Sequence, residues 1–206
     1  MRVDMNAMLF GMNRRDILKK QQTNFLYAAR ELKKGVVFII LKKERMVFLI
    51  HIIPYEAHFQ RQAISLILYI QNRENHLHLT LTDQPDLLDI EGYYLKAHGG
   101  FWIAEENGKV IGTMGCKRMN DSGCVLKKFF VHREFRGRKI GLQLYNTFLA
   151  FCHGQHLHQI VLDTPSIATR SHRFYRQAGF HEITKDQLPF PYSYPDRQSL
   201  LFLKEI

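Results

Sequence analysis

Cysteine is scarce in this chain of 206 residues: Cys116, Cys124 and Cys152 are all there is. Their number is odd and no CxxC spacing occurs, which argues against a disulfide framework or a zinc site and fits a reducing, cytoplasmic setting with no bound metal. As sequence features the three read as buried apolar filler. Long uncharged apolar runs are also missing. The best candidate, Val36–Ile53, is broken by Lys42-Lys43-Glu44-Arg45, short of the ~20 apolar residues a membrane-spanning helix needs. No apolar signal core follows the first residues. Internal repeats and low-complexity tracts are absent, and acidic residues are outnumbered, 19 against 29 Lys and Arg.

That imbalance is local. Residues 1–50 hold eleven Lys/Arg and four Asp/Glu, a net +7 of the total +10, leaving +3 for the remainder. The body of the chain is only mildly basic, so the pI gives no ground for a nucleic-acid partner. The composition, 46% hydrophobic and 23% charged, is that of a globular domain with a sizeable core.

Along the chain, Asn13 is a candidate cap for a helix running to about Lys34, carrying Ile17, Leu18, Phe25, Leu26 and Ala29, with Gly35 as its stop. Val36–Leu41 and Met46–Ile53 read as strands. His58–Asn72 reads as an amphipathic helix and Asp83–His98 as a weaker helical region broken by Gly92. Phe101–Glu105 and Lys109–Lys117 form a hairpin, because Asn107-Gly108 supplies the positive φ angles of a tight turn. Cys124–Val131 is the next strand, followed by a helix over Lys139–His153 and a strand over Gln159–Asp163. A further helix starts at Pro165 and runs to Ala178, stopped by Gly179. A last strand, Ser199–Leu203, follows the loop Leu188–Pro195. The order predicts an α/β or α+β fold around a mixed sheet.

The chemistry concentrates where the strand Phe129-Phe130-Val131 gives way to Arg136-Gly137-Arg138-Lys139-Ile140-Gly141-Leu142. The first amides of a helix lack internal partners and sit at the positive end of its dipole. Glycine lets a ligand approach the backbone closely. A diphosphate is the natural ligand of such an end, and Arg136 and Arg138 can add charge-assisted bonds. A solvated basic helix start is the other reading of the same residues.

This segment resembles the acetyl-CoA signature of the GNAT acetyltransferase superfamily, Gln/Arg-x-x-Gly-x-Gly/Ala. Arg136 and Gly141 match its ends, and Lys139 stands where the pattern has its middle glycine. A second hallmark of that superfamily, a helix ending in Tyr shortly before Gly-Phe, is matched by Arg173–Phe180, with Tyr175 the tyrosine. The resemblance covers Met46–Ile206, giving a GNAT domain over 46–206 and a basic extension over 1–45. For the extension three readings stand: a membrane-surface helix, elements packed on the core, or an upstream segment preceding a start at Met46.

The resemblance implies a mostly antiparallel sheet with splayed central strands flanked by helices. It implies that main-chain groups of Phe129, Phe130 and Val131 pair with the pantetheine arm, and that amides of Gly137–Leu142 meet the pyrophosphate. The implied activity is acetyl transfer from acetyl-CoA, as cosubstrate, to a primary amine of a small molecule or protein by direct attack. An amide near Val131 would stabilise the oxyanion, and Tyr175 would serve as general acid. Asp163, twelve residues before that tyrosine, is a candidate base or a strand-end cap, and His132 is a second candidate base. Ala168 stands where many relatives have a cofactor-contacting asparagine. The other class of function is a binding module that holds acyl-CoA without turnover. Tyr93, Tyr94, Trp102, Phe190, Tyr192 and Tyr194 are candidate acceptor-pocket or core aromatics, and Asp83, Asp86 and Asp89 could attract a cation. Pairing of exposed last strands would give a homodimer.

Overall fold

The computed structural model describes residues 25–32, 35–42, 45–46, 50–194 and 198–206. The chain divides into two compact units, Met1–Leu49 and Ile50–Ile206.

In the first unit, β1 (Phe25–Leu32), β2 (Gly35–Lys42) and β3 (Arg45–Met46) form an antiparallel sheet in the order β1-β2-β3. Pairing of Leu32 with Gly35 at one end and Phe25 with Lys42 at the other closes a hairpin. The helix expected up to Lys34 is therefore corrected over Phe25–Leu32, and Gly35 opens a strand instead of ending a helix. The apolar stripe was weakly periodic, and the β-branched run Val36–Ile40 next to it is a ready strand partner. Asn13, Ile17 and Leu18 lie outside the described residues. The single strand expected over Met46–Ile53 is divided between the two units.

The second unit is a seven-stranded sheet with helices on both faces. Its elements are β4 (His51–Pro54), α1 (Gln60–Tyr69), β5 (Gly100–Glu106), β6 (Lys109–Arg118), β7 (Gly123–Val131), α2 (Ile140–Gly154), β8 (Gln159–Pro165), α3 (Thr169–Gln177), β9 (His181–Ile183) and β10 (Ser199–Glu205). The strand order is β4-β5-β6-β7-β8-β10-β9. Every neighbouring pair is antiparallel except β7 and β8. The mixed, mostly antiparallel sheet expected from the sequence is present.

Both faces of β5 are covered, so its side chains feed two cores. Phe101 and Ile103 join α1 residues Ala63, Leu66 and Ile67. Trp102 and Ala104 join Ile140, Leu144, Phe148 and Cys152 from α2. The α2 spacing, with Ile140, Leu144, Phe148 and Cys152 four apart, puts one helix face on the sheet. Cys116, Cys124 and Cys152 are free and buried in that second core, their sulfurs within 4.8 Å of one another. At the β5–β6 turn Asn107 and Gly108 have φ of 54° and 77°, the paired positive angles of a two-residue hairpin. Two helical expectations change. Asp83–His98 is reduced to short turns at Pro85–Leu87 and Glu91–Leu95. Pro165 ends β8, and α3 begins at Thr169.

Candidate active site

The parallel pairing of β7 with β8 lasts three residues, Gly123–Val125 against Gln159–Val161. Beyond it β8 stays paired with β10 as far as Pro165, while β7 follows β6. The two strands diverge, and their facing edges border a slot.

The β7 edge is shaped by a bulge. The β6–β7 register shifts between Thr113 and Gly115, Lys128 has φ of 52°, and the Thr113 hydroxyl donates to the Lys128 carbonyl at 2.7 Å. Past the bulge His132 N–H donates to Ile111 O at 2.8 Å. In an antiparallel ladder this makes Gly112 and Val131 the non-hydrogen-bonded pair. The main-chain groups of Val131, and by the period of two those of Phe129, then face away from β6 toward the slot. Those of Phe130 are used by the sheet, so Phe130 does not offer the main-chain contact expected of it and contributes its side chain.

The slot is a cavity of about 730 Å³. One wall is Phe129, Phe130, Val131, Arg136, Gly137, Lys139, Ile140, Gly141 and Leu142. The other is the start of α3, including Ile167, Ala168, Ser171, Phe174 and Tyr175. Gly137 (φ 80°) and Lys139 (φ 61°) both take left-handed conformations, and Lys139 is the residue that caps α2. This explains the glycine of the signature pattern: the position requires positive φ, which costs a side-chain-bearing residue roughly 1–2 kcal/mol. At Gly141 an added Cβ would stand 3.3 Å from Phe129 Cζ, so a larger side chain would intrude on the slot.

The arginines are already engaged. Arg136 donates from Nε to Val131 O at 2.9 Å and pairs with Glu74 at 2.5 Å. Arg138 pairs with Glu106 at 2.6 Å and lies over the Phe135 ring. Arg138 is not among the residues that line the slot. Glu74 and Glu106 were invisible as partners because they lie 62 and 32 residues away.

Tyr175 is 7% exposed and packs among Phe174, Phe180, Phe202 and Phe129. Burial pushes its pKa well above the usual tyrosine value, and the Asp163 charge adds to this. Tyr175 also lines a second, polar cavity of about 190 Å³, with Gln71, Gln84, Asp86, Lys127, Lys128, Asp163 and Thr164. It therefore stands where the two spaces meet. Asp163 accepts a hydrogen bond from the Tyr192 hydroxyl and lines the polar cavity. Tyr192 is itself pushed up by burial and by Asp163.

His132 is elsewhere. Its ring stacks on Tyr69 at 5.6 Å beside a different cavity, and its buried Nδ1 has no partner among the described residues. The six aromatics separate. Trp102 packs on Phe148 and Phe151 and Tyr94 and Phe190 are core, whereas Tyr192 borders Asp163 with Tyr194 stacked on it. Asp89 caps the Gly92 amide, and Asp83 accepts from Thr80.

One network escaped sequence reasoning. Lys128, in the bulge, pairs with Asp86 at 3.3 Å and Gln84 at 2.6 Å. Asp86 also accepts from Tyr94 OH at 2.6 Å, and Gln84 exchanges bonds with Gln71. Two lysines inside an otherwise apolar strand were its only trace in the sequence.

Comparison with known proteins gives a consistent result. Residues 64–180 match the Acetyltransferase (GNAT) family. A crystal structure of an acetyltransferase from Streptococcus agalactiae is 40% identical, covers 76% of this chain and 98% of its own, and superposes with a TM-score of 0.74. A GNAT-family acetyltransferase from Staphylococcus aureus is 33% identical, covering 76% and 99%, with a TM-score of 0.73. Among curated proteins, the probable N-acetyltransferase camello of Xenopus tropicalis is 32% identical over 109 residues, 52% of this chain and 50% of that one. The chain spans about half the length of the curated relatives it matches.

Proposed function

Since the chain belongs to the GNAT acetyltransferase family, we propose that it transfers an acetyl group from acetyl-CoA to a primary amine of a small molecule. The observation that most supports this is the position of Tyr175 at the junction of a long slot and a small polar cavity. One space suits a cosubstrate arm and the other an acceptor.

The residues present suit acetyl-CoA. The main-chain groups of Phe129 that face the slot can satisfy an amide of the pantetheine arm, while the Val131 carbonyl already accepts from Arg136. The first-turn amides of α2, reached through Gly137 and past Gly141, can receive the diphosphate. This reading needs no arginine in contact with phosphate, because amides and helix dipole supply the positive end. The small acceptor cavity, about 190 Å³, favours a small molecule over a protein chain.

In the reaction the amine nitrogen bonds to the thioester carbon, the oxyanion forms, and the C–S bond then breaks. Asp163, borne by β8 beside Tyr175, takes the proton the amine loses, directly or through water. The Val131 amide, turned toward the slot, is the donor for the oxyanion. Tyr175 gives its proton to the departing thiolate. Its raised pKa keeps that proton in place at neutral pH.

Thiol release from acetyl-CoA across a panel of primary amines tests the proposal. The expected result is amine-dependent release that falls by about 10²–10⁴ in Tyr175→Phe while the melting temperature is kept. Equal rates in the two proteins would remove the acid role from Tyr175. Saturable acetyl-CoA binding with no release for any amine would leave a binding module.

A further inference from the structure

We infer that the acceptor is an amino acid, its amine directed at Asp163 and its carboxylate held by Lys127. The inference rests on the acetyl-transfer reading above and concerns the polar cavity beside Tyr175.

Five charged side chains line that cavity: Asp83, Asp86, Asp163, Lys127 and Lys128. Three are committed to the protein. Lys128 and Asp86 pair with each other, their side chains 9% and 8% exposed. Asp83 accepts from the Thr80 amide at 2.8 Å and hydroxyl at 2.7 Å. That leaves one anion and one cation. Asp163 has only the neutral Tyr192 hydroxyl as its hydrogen-bond partner among the described residues. Lys127 has no carboxylate within ion-pair distance among them, and its ammonium lies 5.6 Å from the centre of the Tyr192 ring.

Tyr192 thus separates the two charges, its hydroxyl on the anion and its ring beside the cation. A half-buried cation without a counter-ion is costly unless water or a ligand anion neutralises it. A zwitterion with its charges a few bonds apart suits both ends, whereas a plain amine would leave Lys127 unmatched.

The backbone supports the same reading. In a regular strand Lys127 and Lys128 would point to opposite faces. The bulge, with Lys128 at φ of 52°, brings both to one cavity. Lys128 takes Asp86 as its counter-ion, and Lys127 makes no ion pair among the described residues, so the second cation stays available.

The test compares amino acids with the amines made by removing their α-carboxyl group, for example phenylalanine with phenethylamine and leucine with isopentylamine. Wild-type protein and Lys127→Gln are assayed by thiol release. The expected result is a kcat/KM at least tenfold higher for the amino acid of each pair, falling toward parity in Lys127→Gln and partly restored in Lys127→Arg. Equal or better use of the decarboxylated amines overturns the inference, as does a preference that survives in Lys127→Gln. A calorimetric titration of acetyl-CoA distinguishes the two levels of failure. No binding removes the acetyl-transfer reading itself. Binding accompanied by turnover of plain amines only overturns the amino-acid inference alone, whereas binding with turnover of neither class leaves a binding module and removes both readings.

Discussion

Lys139 occupies a left-handed conformation, φ 61° and ψ 12°, immediately before α2. In the sequence it was a departure from a glycine pattern; in the structure it is the residue that bears the strain the glycine avoids. Lys139→Gly is expected to stabilise the fold by about 1 kcal/mol, read from denaturant midpoints, with α2 unchanged. A loss of stability would mean that the lysine side chain supplies an interaction outweighing its strained backbone. Tyr175 shows what was legible at this scale: two short motifs pointed to it and the fold puts it at the meeting of two cavities. The engagement of Arg136 with Glu74 and of Arg138 with Glu106 was not legible. Those pairings depend on chain segments far apart in sequence, and a basic segment by itself says nothing of its counter-ions.

Between β6 and β7 the bulge determines which main-chain groups face the slot. It is tied by a part-buried side-chain bond, Thr113 Oγ1 to Lys128 O, and Thr113 itself is fully buried. Thr113→Val keeps the shape and removes the donor, leaving a carbonyl unsatisfied, at an expected cost of about 1–3 kcal/mol. A thermal melt checks this; a variant as stable as wild type would show that the bulge is held by something else. Element prediction succeeded where local chemistry was decisive, as at Asn107-Gly108 and in the apolar spacing of α2. It failed where a partner strand decided the outcome. Phe25–Leu32 became a strand by pairing with β2. The three-residue β9, pairing Leu201–Leu203 of β10, was too short to carry a pattern. The bulge left only the pair Lys127-Lys128 as its mark.

Taken as a whole, the second unit buries more tyrosine hydroxyls than its sequence announces, and this gives it a characteristic response to alkali. Burial raises the pKa of Tyr94, Tyr175 and Tyr192, and that of Tyr145 to about 12. In the unfolded chain these groups titrate near 10. Above that pH the unfolded state loses protons that the folded state keeps, so stability present below pH 10 is lost as pH rises through the folded values. Lys128 has the opposite sign: burial lowers its pKa, so its contribution grows as pH approaches the unfolded lysine value. Burial raises Tyr55 as well, and five tyrosines against one lysine give a net loss. Denaturant midpoints are expected to fall steadily above pH 10, less steeply in Tyr175→Phe. A flat profile to pH 11 would contradict the burial described. Among the described residues no helix is long and apolar enough to cross a membrane.

On the proposed function, the slot between β7 and α3 cradles acetyl-CoA mainly with backbone groups. A calorimetric titration of acetyl-CoA into wild-type protein and Gly141→Val tests that most directly, since a side chain at Gly141 meets Phe129 inside the slot. Saturable one-to-one binding, weakened at least tenfold in the variant at an unchanged melting temperature, is the predicted result. Absence of binding to the wild type, or equal affinity in the two proteins, would contradict it.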